Sequence, residues 1–235
     1  MHTARQDPMF RYLALLTIAS AVGLQTWRTL FNNFAVEIVH LEGNHIGIIQ
    51  SLREVPGFLA LLVIFLIIII KEHRLSALSI ITLGVGVGLT GVLPSYLGLI
   101  FTTLIMSFGF HYYETTNQSL TLQYFNHLSS PWVFGKLRSY AAATNIVVGV
   151  FILVISNLLS YQMIYILVGG LIGLAGFWGL RQSPTRSDVV PQHKKMILRK
   201  KYWLYYFLTF MSGARRQIFV AFAVFLLVKK FEFSV

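Results

Sequence analysis

Cysteine is absent from the 235-residue chain, and charged residues are scarce. Without cysteine there can be no disulfide framework, no thiolate zinc site and no cysteine nucleophile. Charged residues make up 11% of the chain, whereas hydrophobic residues make up 56% and the mean hydropathy is +0.69. This composition excludes a water-soluble globular domain and indicates an integral membrane protein.

Acidic residues are the scarcer of the two charge types, with 8 Asp and Glu against 19 Lys and Arg. A net charge of +11 is compatible with nucleic-acid binding, but the distribution of the charge is not. Seven basic residues fall within 181–201, and most others lie at the ends of apolar runs. Membrane proteins place positive charge in this way, so nucleic acid is not an expected partner and membrane lipid is.

Seven apolar segments are each long enough to cross a bilayer, which takes roughly 20 residues per helix. They cover residues 12–36, 46–70, 76–93, 97–123, 139–159, 161–180 and 202–228. A backbone within lipid must satisfy its own hydrogen bonds, so we expect every span to be helical. The basic residues of the connecting segments fall almost entirely on one side, which places the N-terminus and residues 181–201 in the cytoplasm.

The seventh span repeats the first weakly when the chain is shifted by 192 residues. The identical pairs are Leu16/Leu208, Thr17/Thr209, Ser20/Ser212 and Gln25/Gln217. This repeat predicts a second bundle, parallel to the first, that begins near residue 202. The chain is therefore expected to be incomplete, with the C-terminal half of the same protein as its missing partner.

Six spans, a basic linker and a repeating seventh span resemble the major facilitator superfamily of transporters. The segment from Ile70 to Leu75, which reads Ile-Lys-Glu-His-Arg-Leu, is similar to that family's Gly-x-x-x-Asp-Arg-x-Gly-Arg loop but lacks both glycines. The segment from Phe134 to Arg138, Phe-Gly-Lys-Leu-Arg, is similar to the Phe-Gly-x-x-Arg of its sugar and proton symporters. The Gly-Pro signature of its drug antiporters is absent from the fifth span.

The resemblance implies an all-α integral membrane fold in the plasma (cell inner) membrane. Residues 1–180 would form a six-helix bundle, 181–201 a cytoplasmic linker, and 202–235 the first helix of a truncated second bundle. In this family the first, fourth and seventh spans line a central cavity and the third and sixth lie outside. Charge in this chain follows that division, because the third and sixth spans carry none.

Two polar stripes make the first and fourth spans candidates for binding a substrate. Gln25, Arg28 and Asn32 share one helical face, and His111, Glu114 and Gln118 repeat that spacing with Asn117 adjacent. Arg216 and Gln217 of the seventh span complete the predicted binding set. Hydrogen bonding between packed helices remains the alternative explanation of these residues.

Two acidic residues are candidates for coupling transport to protons. Glu54 and Arg28 both lie roughly 6 Å outward of the centres of their spans, so they can form an ion pair within the membrane. Arg53 would point about 100° away from Glu54, toward the outer vestibule. Glu114 lies inward of the centre of its span, where burial disfavours the carboxylate and permits protonation near neutral pH.

These features predict a secondary active transporter that works by alternating access, is coupled to protons, and carries a small solute such as an organic anion or a sugar. No nucleotide-binding Gly-x-x-x-x-Gly-Lys-Ser/Thr loop occurs, which favours an ion gradient as the energy source. The chain is not expected to be an enzyme or to need a cofactor or a metal. An integral-membrane enzyme and a structural membrane protein remain the alternatives.

Overall fold

A computed structural model describes residues 5–186, 189, 199–209 and 211. Within these residues all regular secondary structure is helical, which confirms the predicted all-α class. The chain divides into two compact units, Met1–Lys194 and Lys195–Val235.

Among its described residues, the first unit contains eight α-helices that make up six long helical stretches. They are α1 (Pro8–Asn33), continued by a π-helical segment (Phe34–Ile38); α2 (Gly43–Arg53), α3 (Val55–Leu59) and α4 (Val63–Ile69), with a 3-10 turn (Ala60–Leu62) before α4; α5 (Glu72–Val92); α6 (Tyr96–Tyr124); α7 (Ser130–Ile155); and α8 (Tyr161–Arg181). In the second unit a 3-10 turn (Lys200–Tyr202) leads into helical residues 203–209.

Five of these stretches are long and apolar enough to cross a membrane. They are Pro8–Ile38, Gly43–Ile69, Glu72–Val92, Ser130–Ile155 and Tyr161–Arg181, which correspond to the predicted spans one, two, three, five and six. The predicted fourth span forms α6, which has 29 residues, but its hydroxyl, amide and charged side chains make it more polar than the others. Most of the predicted seventh span lies outside the described residues.

Helix α7, which forms the fifth span, begins at Ser130, nine residues before the predicted start of that span. Pro131 occupies its first turn, where the fixed φ of proline suits a helix start and its missing N–H costs nothing. Lys136 and Arg138, which precede the predicted fifth span (139–159), therefore lie in α7. The prediction was wrong here because charge ends an apolar run without ending a helix.

Side-chain caps fix the starts of three helices. Asp7 accepts a hydrogen bond from the backbone N–H of Met9 at 2.8 Å at the start of α1. Ser95 caps α6 and Ser160 caps α8 in the same manner. Each cap satisfies one of the N–H groups that the first turn of a helix leaves without a partner.

Helices α5 and α8 pack closely through glycine. A Cβ atom placed on Gly169 would lie 2.5 Å from the backbone of Gly88, and one on Gly84 would lie 2.7 Å from the carbonyl oxygen of Gly169. Small residues let the two backbones approach, as is common between membrane helices. The third span is consequently mostly buried within the bundle, which corrects the expectation that its lack of charge makes it an outer, lipid-facing wall.

Most helix contacts of the first unit follow a regular pattern. The first span packs on the fifth and sixth, the fourth packs on the second and third, and the third packs on the sixth. Exchanging spans one with four, two with five and three with six converts the first four of these contacts into one another and leaves the contact of the third with the sixth unchanged. The contacts of the first span with the third, of the second with the third and of the fourth with the fifth have no counterpart of similar extent.

An ion pair between a buried carboxylate and an exposed guanidinium connects the segment after α8 to the start of α1. The Arg186 guanidinium lies 2.6 Å from Asp7, whose side chain is almost fully buried. Arg186 also donates a hydrogen bond to the backbone carbonyl of Tyr124 at 3.1 Å and lies over its ring. Three parts of the chain that are distant in sequence therefore meet at the end of the bundle predicted to be cytoplasmic.

Candidate functional site

The second span is broken near its middle. Helix α2 ends at Arg53, Glu54 forms a turn, and α3 begins at Val55 with proline at its second position. Pro56 has no N–H to donate, and the N–H of Gly57 turns back to the carbonyl of Glu54 at 3.0 Å. The carbonyl of Arg53 consequently loses the partner that a continuous helix would supply.

Helix α6 compensates for this break with its hydroxyl groups. Ser107 donates a hydrogen bond to the Arg53 carbonyl, and Tyr112 donates one to the carbonyl of Leu59 at 3.4 Å. Carbonyls freed within a membrane helix need such partners because no water is at hand in the hydrocarbon region. The fourth span thus stabilises the break in the second.

An ion pair lies directly at the break. Nη2 of Arg53 is 2.7 Å from Oε1 of Glu54, and Nε of Arg53 donates to the same oxygen at 3.2 Å. The Arg53 guanidinium also lies 5.4 Å from the ring centre of Trp27 in α1, within the range of a cation–π interaction. Charge from the second span and an aromatic face from the first therefore meet.

This pair corrects two sequence-based expectations. Glu54 pairs with Arg53 rather than with Arg28, and the Arg53 side chain folds over Glu54 and Trp27 instead of pointing away. The 100° separation of neighbouring residues holds only in a continuous helix, and α2 ends between these two residues.

His111 lies against the break from the α6 side. A Cβ atom on Gly57 would lie 3.1 Å from Cε1 of His111, so the imidazole occupies the place that a side chain at position 57 would need. The charges of Glu54 and Arg53 both act on this ring. An acid, a guanidinium and an imidazole are thus gathered at one membrane depth, a combination that can hold an anion and transfer a proton.

The predicted stripe on the first span lies on an open face of the first unit. Arg28 and Asn32 are exposed, and Gln25 is half-buried and donates a hydrogen bond to Thr29 at 3.2 Å. Helices α1 and α6 are joined deeper in the bundle, where the hydroxyls of Thr17 and Tyr113 are 2.7 Å apart.

The side chains of the predicted stripe on the fourth span have different surroundings. His111 faces the break, Asn117 is buried and Gln118 is exposed. The amide oxygen of Asn117 is buried without a hydrogen-bond partner. Glu114 is half-buried, and the charge that acts on it is that of Arg138 in α7. The two predicted proton sites therefore belong to separate clusters, Glu54 with the second span and Glu114 with the fifth.

Arg216 and Gln217 lie outside the described residues. Within the described part of the chain, no group of three or more His, Asp or Glu side chains is placed to hold a metal ion.

Sequence analysis missed the residues that surround the break. Trp27 and Ser107 were not singled out, because an aromatic residue and a serine in an apolar run resemble ordinary core residues. The adjacent Pro56 and Gly57 were the available signal, since this pair interrupts an otherwise uniform hydrophobic helix.

No protein-family model matches the chain, and no curated protein matches it.

Proposed function

We propose that the protein is a secondary active transporter of the major facilitator type, which carries a small organic anion by alternating access and is driven by protons. The observation that supports the proposal is the pattern of helix packing, in which most contacts between spans one to three and spans four to six recur when the two sets are exchanged. Nested three-helix inverted repeats are the plan of each six-helix half in that superfamily. A membrane enzyme or a passive scaffold has no need of this arrangement.

The broken second span supports transport further. Transporters place substrate and ion sites at discontinuous helices near the bilayer midplane, where unwound backbone and charged groups are within reach of the cavity. In this chain the break carries Arg53 and Glu54, and His111 lies beside it. Ionisable groups at membrane depth are costly, which favours a functional role for them.

The Arg53–Glu54 pair suggests how protons and an anion are coupled. While Glu54 is ionised, it holds the Arg53 guanidinium. Protonation of Glu54 removes the negative charge and frees the guanidinium for a carboxylate or phosphate of the substrate, which it matches in geometry. Proton binding and anion binding then strengthen each other by the same factor, as reciprocal linkage requires.

The other predicted residues take supporting roles in this proposal. Gln25, Arg28 and Asn32 on the open face of α1, with His111, Asn117 and Gln118 of α6, line the substrate path. Arg216 and Gln217 remain predicted substrate-binding residues of the seventh span and lie outside the described residues. Glu114, near Arg138, is a second proton site.

The test uses the complete protein in liposomes that contain the pH dye pyranine. A panel of monocarboxylates, dicarboxylates, sugar phosphates and neutral sugars is screened for proton uptake into the vesicles. We expect one anion class to carry protons with it, and its affinity to rise as the external pH falls because protonated Glu54 no longer competes for Arg53. Glu54→Gln should bind that anion at least as tightly at every pH, exchange it across the membrane, and fail to accumulate it.

Glu42→Gln is the matched control, since this exposed acid lies outside the cluster and should leave the pH dependence unchanged. Proton uptake with neutral sugars alone would contradict the anion assignment. An affinity independent of pH in the unchanged protein would contradict the coupling by Glu54, and no flux of any tested solute would leave a scaffold or enzyme as the better description.

A further inference from the structure

A groove of about 730 Å³ lies between the first turns of α1 and α7. Both helix ends belong to the side of the bundle that the charge distribution places in the cytoplasm. The groove is separate from the cluster at the break of the second span. Its volume is within the range of about 300–1,000 Å³ that small-molecule sites occupy.

Three aromatic residues form the base of the groove. Phe10 of α1 is buried, and its ring centre lies 5.5 Å from that of Trp132 and 6.3 Å from that of Tyr140 in α7. Trp132 and Tyr140 are partly open to the groove. Tryptophan and tyrosine favour the depth of the lipid headgroups, which places this aromatic base at the membrane interface.

The rim of the groove is positively charged. Arg5 and Arg11 line it, both are exposed, and neither forms an ion pair within the described residues. Lys136 is exposed on α7, four residues from both Trp132 and Tyr140 and hence on the same helical face.

Negative charge near the rim is already neutralised. Asp7, the acid nearest in sequence, is buried and paired with Arg186. Among the described residues that line the groove, two are arginines and none is acidic.

An aliphatic wall continues the groove toward the membrane interior. Ala14, Leu15 and Ile18 line it, and Ile18 lies seven residues beyond Arg11, or about 10 Å along the helix. A soluble anion would contact the arginines and leave this wall bare. A lipid would place its phosphate at the rim and its acyl chains along the wall.

We propose that this groove binds one anionic phospholipid of the cytoplasmic leaflet, with its phosphate between Arg5 and Arg11 and its first acyl carbons against Leu15 and Ile18. Basic pockets between membrane helices on the cytoplasmic side are suited to such headgroups. The proposal does not depend on transport.

The experiment titrates the complete, delipidated protein in detergent with dioleoylphosphatidylglycerol or dioleoylphosphatidylcholine and counts bound lipids by native mass spectrometry. We expect one phosphatidylglycerol to bind at least tenfold more tightly than phosphatidylcholine. Arg5→Gln with Arg11→Gln should weaken its binding by about fivefold per arginine. Ala14→Trp, which fills the groove and keeps both charges, should weaken it as well.

The matched control is Lys71→Gln with Arg74→Gln, which removes two exposed cytoplasmic charges that do not line the groove. It should leave binding within twofold of the unchanged protein. Arg5→Lys with Arg11→Lys keeps the charge and should retain most of the affinity, which separates loss of binding from loss of folding.

Three results would overturn the proposal. Equal affinity for the two lipids would show that the groove does not select charge. Equal losses of lipid affinity in the control and groove variants would show that binding depends on the overall positive charge of the surface and not on the groove. Full competition by glycerol 1-phosphate would show a site for soluble anions. Since every measurement is of binding, failure here leaves the transport proposal untouched.

Discussion

The second and third spans look alike as sequence and differ in their surroundings. The most apolar stretch of the second span has a mean hydropathy of 2.4 and is 11% buried within the protein, whereas that of the third has 1.9 and is 61% buried. The more hydrophobic helix is thus the one that is less buried within the protein. Hydrophobicity indicates which helices can lie in a bilayer, and small residues indicate which helices pack closely against each other.

The two spans also use glycine differently. In the third span glycine brings backbones together across a helix pair, while in the second Gly57 makes room for one imidazole beside a break. The first use serves stability and the second serves the candidate site. The predictions that follow separate these two uses.

The largest effect is expected from Gly169→Leu at the α5–α8 contact. The new side chain would meet the backbone of Gly88 at 2.5 Å, and backbone cannot swing aside. We expect a loss of about 3 kcal/mol or more in the free energy of unfolding, measured by titration with SDS in mixed micelles. Gly170→Leu is the control, because nothing lies within 4 Å of its Cβ and stability should stay unchanged or rise slightly. Equal losses in both would refute glycine packing as the reason for burial of the third span.

A smaller effect is expected from Ser107→Ala at the break. The Arg53 carbonyl would lose its donor, at a cost of about 1 kcal/mol in the same assay. Ser139→Ala removes an exposed hydroxyl that bonds within its own helix, to Gly135, and should cost less than about 0.5 kcal/mol. If the two serines prove equivalent, α6 does not stabilise the break.

The smallest change in stability is expected from Gly57→Ala, below about 1 kcal/mol. Its methyl group would lie 3.1 Å from His111 and displace the imidazole by a few tenths of an ångström. The measurement is the ¹⁵N chemical shift of labelled His111, with Gly47→Ala in the same span as the control, where no atom lies within 4 Å. Unchanged His111 signals in Gly57→Ala would contradict the contact.

The six helical stretches could be predicted from sequence because each contains a largely apolar run of sufficient length. The start of α7 could not, because Lys136 and Arg138 end the hydrophobic pattern but not the helix. The candidate site was predicted only in part. Glu54 and His111 stand out as ionisable residues in apolar spans. The ion pair between Glu54 and Arg53 depends on a break in the helix, however, and a helical wheel assumes an unbroken helix.

The role of Trp27 was out of reach for a different reason. Its contact with Arg53 joins two spans, and the relative rotation of two helices is set by packing along their whole length. Residue spacing within one helix holds no information on that rotation.

The bond between Asp7 and Arg186 has a consequence for the order of biosynthesis. The two residues are 179 positions apart, and all six helical stretches described for the first unit lie between them. Chains emerge from the ribosome N-terminus first, so the carboxylate at the start of α1 is made early and its guanidinium only after α8. The ion pair can therefore form only after every helix of the first unit has been synthesised, so its formation reports completion of that unit.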